Sequence, residues 1–139
     1  QTLDIHCSSC AMVSSSGQLI GSNAGQEIDN TPCVIRMNDA PVQYHEADVG
    51  IRTTIRLIAH SSAVSGVFRD ELFNGTDAPE HVIFWGPGSA MNSNDGHTYK
   101  TATWLHWDFV DKGIKFYVMT NRQMGFAERE FEKWTQKSR

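Results

Sequence analysis

The sequence predicts an α/β fold, Rossmann-like, with a mostly parallel sheet and helices on both faces, in one domain over residues 1–139. Three observations lead there. Five short runs rich in apolar and β-branched residues recur along the chain, and segments of helix length separate most of them. The first two runs each end in a cluster of small polar residues, the pattern of the carboxyl edge of an open α/β sheet, where ligands bind. With 139 residues, 40% of them hydrophobic, the chain is long enough to bury one core.

After a polar lead-in over residues 1–9, Cys10 to Ser15 reads as a buried strand running into Ser14-Ser15-Ser16-Gly17. Gly17 to Asp29 is a loop and a short helix. Cys33 to Asn38 is the second strand, followed by a loop from Ala40 to Gly50 that contains Pro41. Thr53 to Ala59 alternates and is β-branched, hence a third strand. Ser61 to Asp77 holds a short helix around Val67 to Phe73, then a loop with the sequon Asn74-Gly75-Thr76, which makes Asn74 an N-glycosylation candidate. His81 to Trp85 is a fourth strand, halted by Gly86-Pro87-Gly88. Thr98 to Val110 reads as a helix stopped by Gly113, with Trp104 and Trp107 turned to the core. Lys115 to Thr120 is the fifth strand, and Phe126 to Lys137 an amphipathic helix.

Composition narrows the function. A formal net charge of -4 and the lack of any Lys/Arg block exclude a nucleic-acid surface. No run approaches the ~18 apolar residues of a membrane span, and Gln1-Thr2-Leu3-Asp4 is no signal peptide. Cys7 and Cys10 form a Cys-x-x-Cys pair without the second half that structural zinc requires, so secretory disulfides are the expectation, with Cys7 and Cys10 as candidates. Gly17, Gly21 and Gly25 are spaced too widely for the Gly-x-Gly-x-x-Gly turn of a dinucleotide enzyme. No Asp-x-Asp pair is present to hold a nucleotide's divalent cation, and no cofactor or metal is expected.

The run Cys-Ala-x-Val-Ser-Ser-Ser-Gly-Gln from Cys10, then Gly25-x-Glu27-Ile28-Asp29, Arg36-Met37-Asn38-x-Ala40-Pro41 and Glu46-x-Asp48-Val49-Gly50-x-Arg52-Thr53-Thr54 resembles the large sialyl motif of the animal sialyltransferases, glycosyltransferase family 29. The closest likeness is to the branch that sialylates the 6-position of N-acetylgalactosamine. The resemblance implies a variant glycosyltransferase-A fold. It makes residues 1–139 the N-terminal portion of a catalytic domain. It also implies an enzyme that moves sialic acid from CMP-sialic acid to a glycoprotein or glycolipid acceptor, without a metal, on the lumenal side of the Golgi membrane. The parent's anchor would lie outside this segment. A non-catalytic nucleotide- or glycan-binding module is the alternative.

By the same resemblance Ser15 and Asn38 match donor-contacting positions, and the cysteine matching Cys10 bonds to a distant cysteine beyond this segment. Ser16 and Gly17 offer a hydroxyl and backbone N–H groups to a phosphate, aided by the N-terminus of the next helix, and Gln18 is close enough to line the same pocket. Taken alone, such residues make an ordinary turn. The family's catalytic histidine would fall after Arg139, so no catalytic residue is expected here and the chain alone is expected to be inactive. Of the six histidines, His60 is the one expected nearest the cleft, in a structural role. Asp29 and Asp48 are expected to hold turns or to pair with Arg36 or Arg52.

Overall fold

The computed structural model describes residues 2–64 and 71–137. Five strands, β1 (Cys10–Val13), β2 (Cys33–Met37), β3 (Ile55–Ala59), β4 (His81–Trp85) and β5 (Lys115–Val118), form one sheet in the order β1-β2-β3-β4-β5, every pair parallel. Between and after them lie α1 (Gly25–Asp29), α2 (Glu46–Val49), α3 (His60–Val64), α4 (Glu71–Asn74), α5 (Gly88–Met91), α6 (His97–Phe109) and α7 (Asn121–Thr135). The parallel α/β class is thus the one expected. The sequence-predicted helix at Val67 to Phe73 falls partly outside the described residues; Glu71 to Asn74 is helical.

Strand order decides where the helices go. Parallel strands joined by right-handed crossovers, each stepping the same way across the sheet, place their crossovers on one face. Register sets Val13, Arg36, Arg56, Val82 and Phe116 side by side on that face. Both core clusters lie over it. One joins Val13, Ile28, Val34 and Val49; the other gathers Ile58, Phe73, Val82, Phe84, Leu105 and Phe109. Each such side chain contributes about 1.5–3 kcal/mol by leaving water.

The sheet carries helices as expected, and the crossovers and both core clusters of the described residues lie over one face. The opposite face carries Met12, which is 66% exposed, and Ile35, Met37, Leu57, Ile83 and Tyr117, all only half-buried. α7 buries none of its residues. Two expectations change. β1 is an edge strand with Cys10 and Met12 exposed, not a buried one. In α6 the buried positions are Thr98, Ala102, Leu105 and Phe109, so Trp104 and Trp107 fall on the outer side, 59% and 68% exposed.

Local chemistry agrees with these elements. α7 opens on a capping box in which Thr120 accepts from the Gln123 N–H and Gln123 accepts from the Thr120 N–H. α1 and α2 touch at Gly25, where a Cβ would collide with the carbonyls of Glu46 and Ala47. Of the two candidate cysteines, Cys7 is bridged, to Cys33, while Cys10 is an exposed free thiol. Cys33 pairs with Cys10 in the β1–β2 register, and the chain before β1 folds back so that Cys7 reaches Cys33. All three sulfurs lie within 4.8 Å of one another.

Between the two apolar clusters sit Arg36 and Arg56, register partners that are both fully buried. Their donors are met mostly by backbone. Arg36 Nη2 donates to the Val49 and Arg52 carbonyls at 2.8 and 2.9 Å, and its Nε to Arg52 O and Thr53 Oγ1. Arg56 donates to the Asn38 carbonyl at 2.8 Å and to the Asp77 carboxylate at 3.3 Å. Burial pulls the Arg56 pKa down to about 10, against the opposing pull of Asp77, so it remains a cation at neutral pH.

Removing one member of a buried pair leaves the other charge stranded. Arg56→Leu should therefore lower stability in urea unfolding by about 3 kcal/mol. The double variant Arg56→Leu/Asp77→Leu should recover about 1 kcal/mol or more, because the orphaned carboxylate is gone. No recovery would place the cost elsewhere.

Candidate functional site at the carboxyl edge

In a parallel sheet every strand exits on the same edge, so the residues just after β1 and β2 are neighbours. Val13 pairs with Arg36, and two residues further along each strand come Ser15 and Asn38. Ser14 to Gly17 wrap a small hollow of about 70 Å³, closed on the other side by Pro41 and by His45, Asp48 and Val49 from the β2–β3 connection. That is room for several waters or a small polar group, since about 10–15 Å³ of such space already holds one water.

The serine turn is internally bonded. Ser14 Oγ accepts from the Ser16 N–H and donates to Ser16 Oγ at 3.3 Å. Ser15, Ser16 and Gly17 line the hollow. Gln18 lies on the same turn, exposed, and is not among the lining residues. The expected loop and short helix over Gly17 to Asp29 comprise a three-residue 3-10 turn, Gly17–Leu19, and α1; the 3-10 turn beside the serines is too short to add a useful helix dipole.

Asn38 has φ +47, a left-handed conformation that Asn tolerates better than most residues. Its Oδ1 accepts from the Ala59 N–H at 2.9 Å, its carbonyl accepts from Arg56, and its own N–H donates to the Leu57 carbonyl. These bonds pin the end of β2 to β3. They commit the side-chain oxygen to β3, and Asn38 is not among the residues that line the serine hollow.

The two motif carboxylates hold loops. Asp29 accepts from the N–H groups of Ile51 and Arg52 at 2.9 Å, closing the turn at Gly50, whose φ of +70 suits glycine. Asp48 accepts from Gly21 at 2.8 Å and Asn23 at 2.9 Å. Those two bonds hold its pKa below the ordinary carboxylate value, with a smaller contribution from His45. His60 lies at the end of β3, half-buried against Gly86, with its ring 6.4 Å from that of His97, away from the serine hollow. The histidine that lines the hollow is instead His45. Nothing in the sequence distinguishes it, because the loop from Ala40 to Gly50 has no periodicity from which to read which side chain turns inward. The positive φ of Tyr44, +69, is the local feature that precedes it.

Comparison with known proteins puts this geometry in a family context. The model of glycosyltransferase family 29 (sialyltransferase) matches residues 2–113. The chain is 40% identical over 135 residues, 96% of its length, to a human alpha-N-acetyl-neuraminyl-2,3-beta-galactosyl-1,3-N-acetyl-galactosaminide alpha-2,6-sialyltransferase, of which it covers 44%. It is 34% identical over 140 residues to mouse alpha-N-acetylgalactosaminide alpha-2,6-sialyltransferase 3, covering 45% of that protein. A crystal structure of a mammalian sialyltransferase superposes with a TM-score of 0.56 at 24% identity, over 91% of this chain and 44% of that one, and shares the fold. The chain thus spans less than half the length of these relatives.

A carboxylate whose folded pKa is depressed stabilises the fold above its unfolded value and loses that contribution as pH falls through the depressed one. Asp48→Asn should therefore melt below the wild type at neutral pH, and the gap should close as pH drops below 3.8 and further. A gap that is constant down to about pH 2 would show that the charge of Asp48 is not what holds the Gly21–Asn23 loop.

Proposed function

The chain belongs to glycosyltransferase family 29, the sialyltransferases, and from that premise we propose that it is the donor-binding portion of the catalytic domain of an α-2,6-sialyltransferase. The reaction is transfer of sialic acid from CMP-sialic acid to the 6-hydroxyl of an N-acetylgalactosamine in a sialylated glycoprotein or glycolipid glycan. The observation that carries the proposal is that the serine hollow and Asn38 stand at adjacent strand exits, inside the matched residues 2–113.

The chemistry asks for two things. The donor's phosphate must be bound and, as the bond to sialic acid breaks, must accept growing negative charge; the acceptor hydroxyl must lose its proton. The first task suits this chain. The Ser15 and Ser16 hydroxyls and the Asn38 NH₂ are neutral donors, and backbone bonds fix the Asn38 position at the end of β2 before a ligand arrives. Asp48, which lines the hollow together with His45, has its carboxylate engaged by Gly21 and Asn23. This reading assigns the second task to no residue of the segment.

Donor binding on neutral hydrogen-bond donors needs no cation. The site of action that fits is the lumenal side of the Golgi membrane, and the Cys7–Cys33 bridge suits such an oxidising compartment. No helix among the described residues is long and apolar enough to cross a membrane.

Two measurements test the reading. Asn38→Ala should weaken CMP binding by about 1–3 kcal/mol in calorimetry, with far-UV circular dichroism unchanged. Equal affinity in folded variant and wild type would remove Asn38 from the donor site. CMP affinity should also be the same in excess chelator and in manganese; a requirement for the metal would overturn the cation-free account.

A further inference from the structure

The Asn74-Gly75-Thr76 turn takes no part in donor binding, and its chemistry points to a modification. Asn74 is the last residue of α4, and Asn74, Gly75 and Thr76 are all exposed. The turn is tight: Gly75 N–H donates to Glu71 O at 3.0 Å, Ala78 N–H donates to Gly75 O at 3.2 Å, and a Cβ on Gly75 would stand 2.8 Å from Glu71 O. The next residue, Asp77, is tied to the buried Arg56, so the turn is fixed to the centre of the sheet while its tip stays in water. Asn74 and Gly75 border an open hollow beside the entries to β4 and β5, formed with His81 and Lys115, and the whole sequon borders a second one with Val42, Gln43 and Glu46 of the β2–β3 connection. None of the turn's residues lines the serine hollow.

A second, separate observation concerns compartment. The Cys7–Cys33 disulfide forms and persists in an oxidising lumen, which is also where Asn-x-Thr sequences meet the enzyme that modifies them. We propose that Asn74 carries an N-linked glycan. The Asn74 Nδ2 forms a bond to C1 of the first sugar of a lipid-pyrophosphate-linked oligosaccharide. The bond from C1 to the pyrophosphate oxygen breaks, the lipid pyrophosphate leaves with the electron pair, and the amide proton passes to solvent through the transferring enzyme. No oxidant or reductant is involved.

The test is expression of the chain behind a cleavable signal sequence in mammalian cells, with the whole lysate as well as the medium analysed, so that a poorly folded or retained chain is still counted. Peptide N-glycosidase should increase the mobility of the wild type and convert Asn74 to Asp in the mapped peptide. Asn74→Gln and Thr76→Ala should abolish the mobility change, and Thr76→Ser, which keeps the hydroxyl, should retain it at least in part. An unmodified Asn74 in wild type from both fractions, with a co-expressed control glycoprotein fully modified, would overturn the proposal. CMP affinity is measured separately on unglycosylated chain, so failure here leaves the donor-site reading intact, and failure there leaves this one.

Discussion

Two guanidinium groups in the middle of an apolar face are the constraint on which the rest of this structure depends. Arg36 and Arg56 are register partners on adjacent strands, fully buried, and their like charges repel. Most of their donors meet carbonyls, a hydroxyl or a carboxylate, while Arg36 Nη1 and Arg56 Nε have no hydrogen-bond partner among the described residues. The consequence reaches the site. Arg36 holds the Val49 and Arg52 carbonyls, which sets α2, and α2 carries Asp48, which in turn holds the Gly21–Asn23 loop. Arg56 holds the Asn38 carbonyl directly. A buried charge network of this kind is weak evidence for stability against an apolar alternative. Its evident effect here is positional: it determines where two strand exits and one loop must lie.

Strand order is the second constraint. Because β1 to β5 succeed one another across the sheet, the described crossovers gather on one face, and the sheet edge at β1 and β2 is reached without any reversal of strand direction or order. Ligand sites in open α/β sheets usually sit where the order reverses. Here the site is made instead by the segments that leave the strand ends: a turn of three serines and a glycine, an Asn in a left-handed conformation, and a connection that folds back over both. On the opposite face Met12 is exposed and Ile35, Met37 and Leu57 are half-buried.

The five strands were legible because each is a short run dominated by apolar residues, most of them β-branched or aromatic in β2 to β5, and those local preferences agree with the final structure. α6 was legible as a helix but not in its orientation. Trp104 and Trp107 are the largest apolar side chains in it, and hydrophobicity alone turns them inward. The packed stripe is Thr98, Ala102, Leu105 and Phe109, because small and medium side chains let the helix approach the sheet closely. His45 was not legible as a pocket residue, since nothing in a loop's composition states which way a side chain points. Cys33 as the partner of Cys7 likewise depends on the β1–β2 register and on the fold of the chain before β1.

The amino-acid sequence by itself determined the kind of protein: a parallel α/β sheet, a motif spread from Cys10 to Thr54, and the residue types that suit a nucleotide donor. Those are local patterns, written in propensities and spacings that hold wherever the segment goes. Only the tertiary structure decided which residues meet. The face that both core clusters share, the two arginines side by side, the Cys7–Cys33 bridge, and the closure of the serine turn by His45 and Asp48 all depend on pairing segments that lie far apart in the chain. Register and crossover direction set such pairings, and neither is carried by any one stretch of sequence.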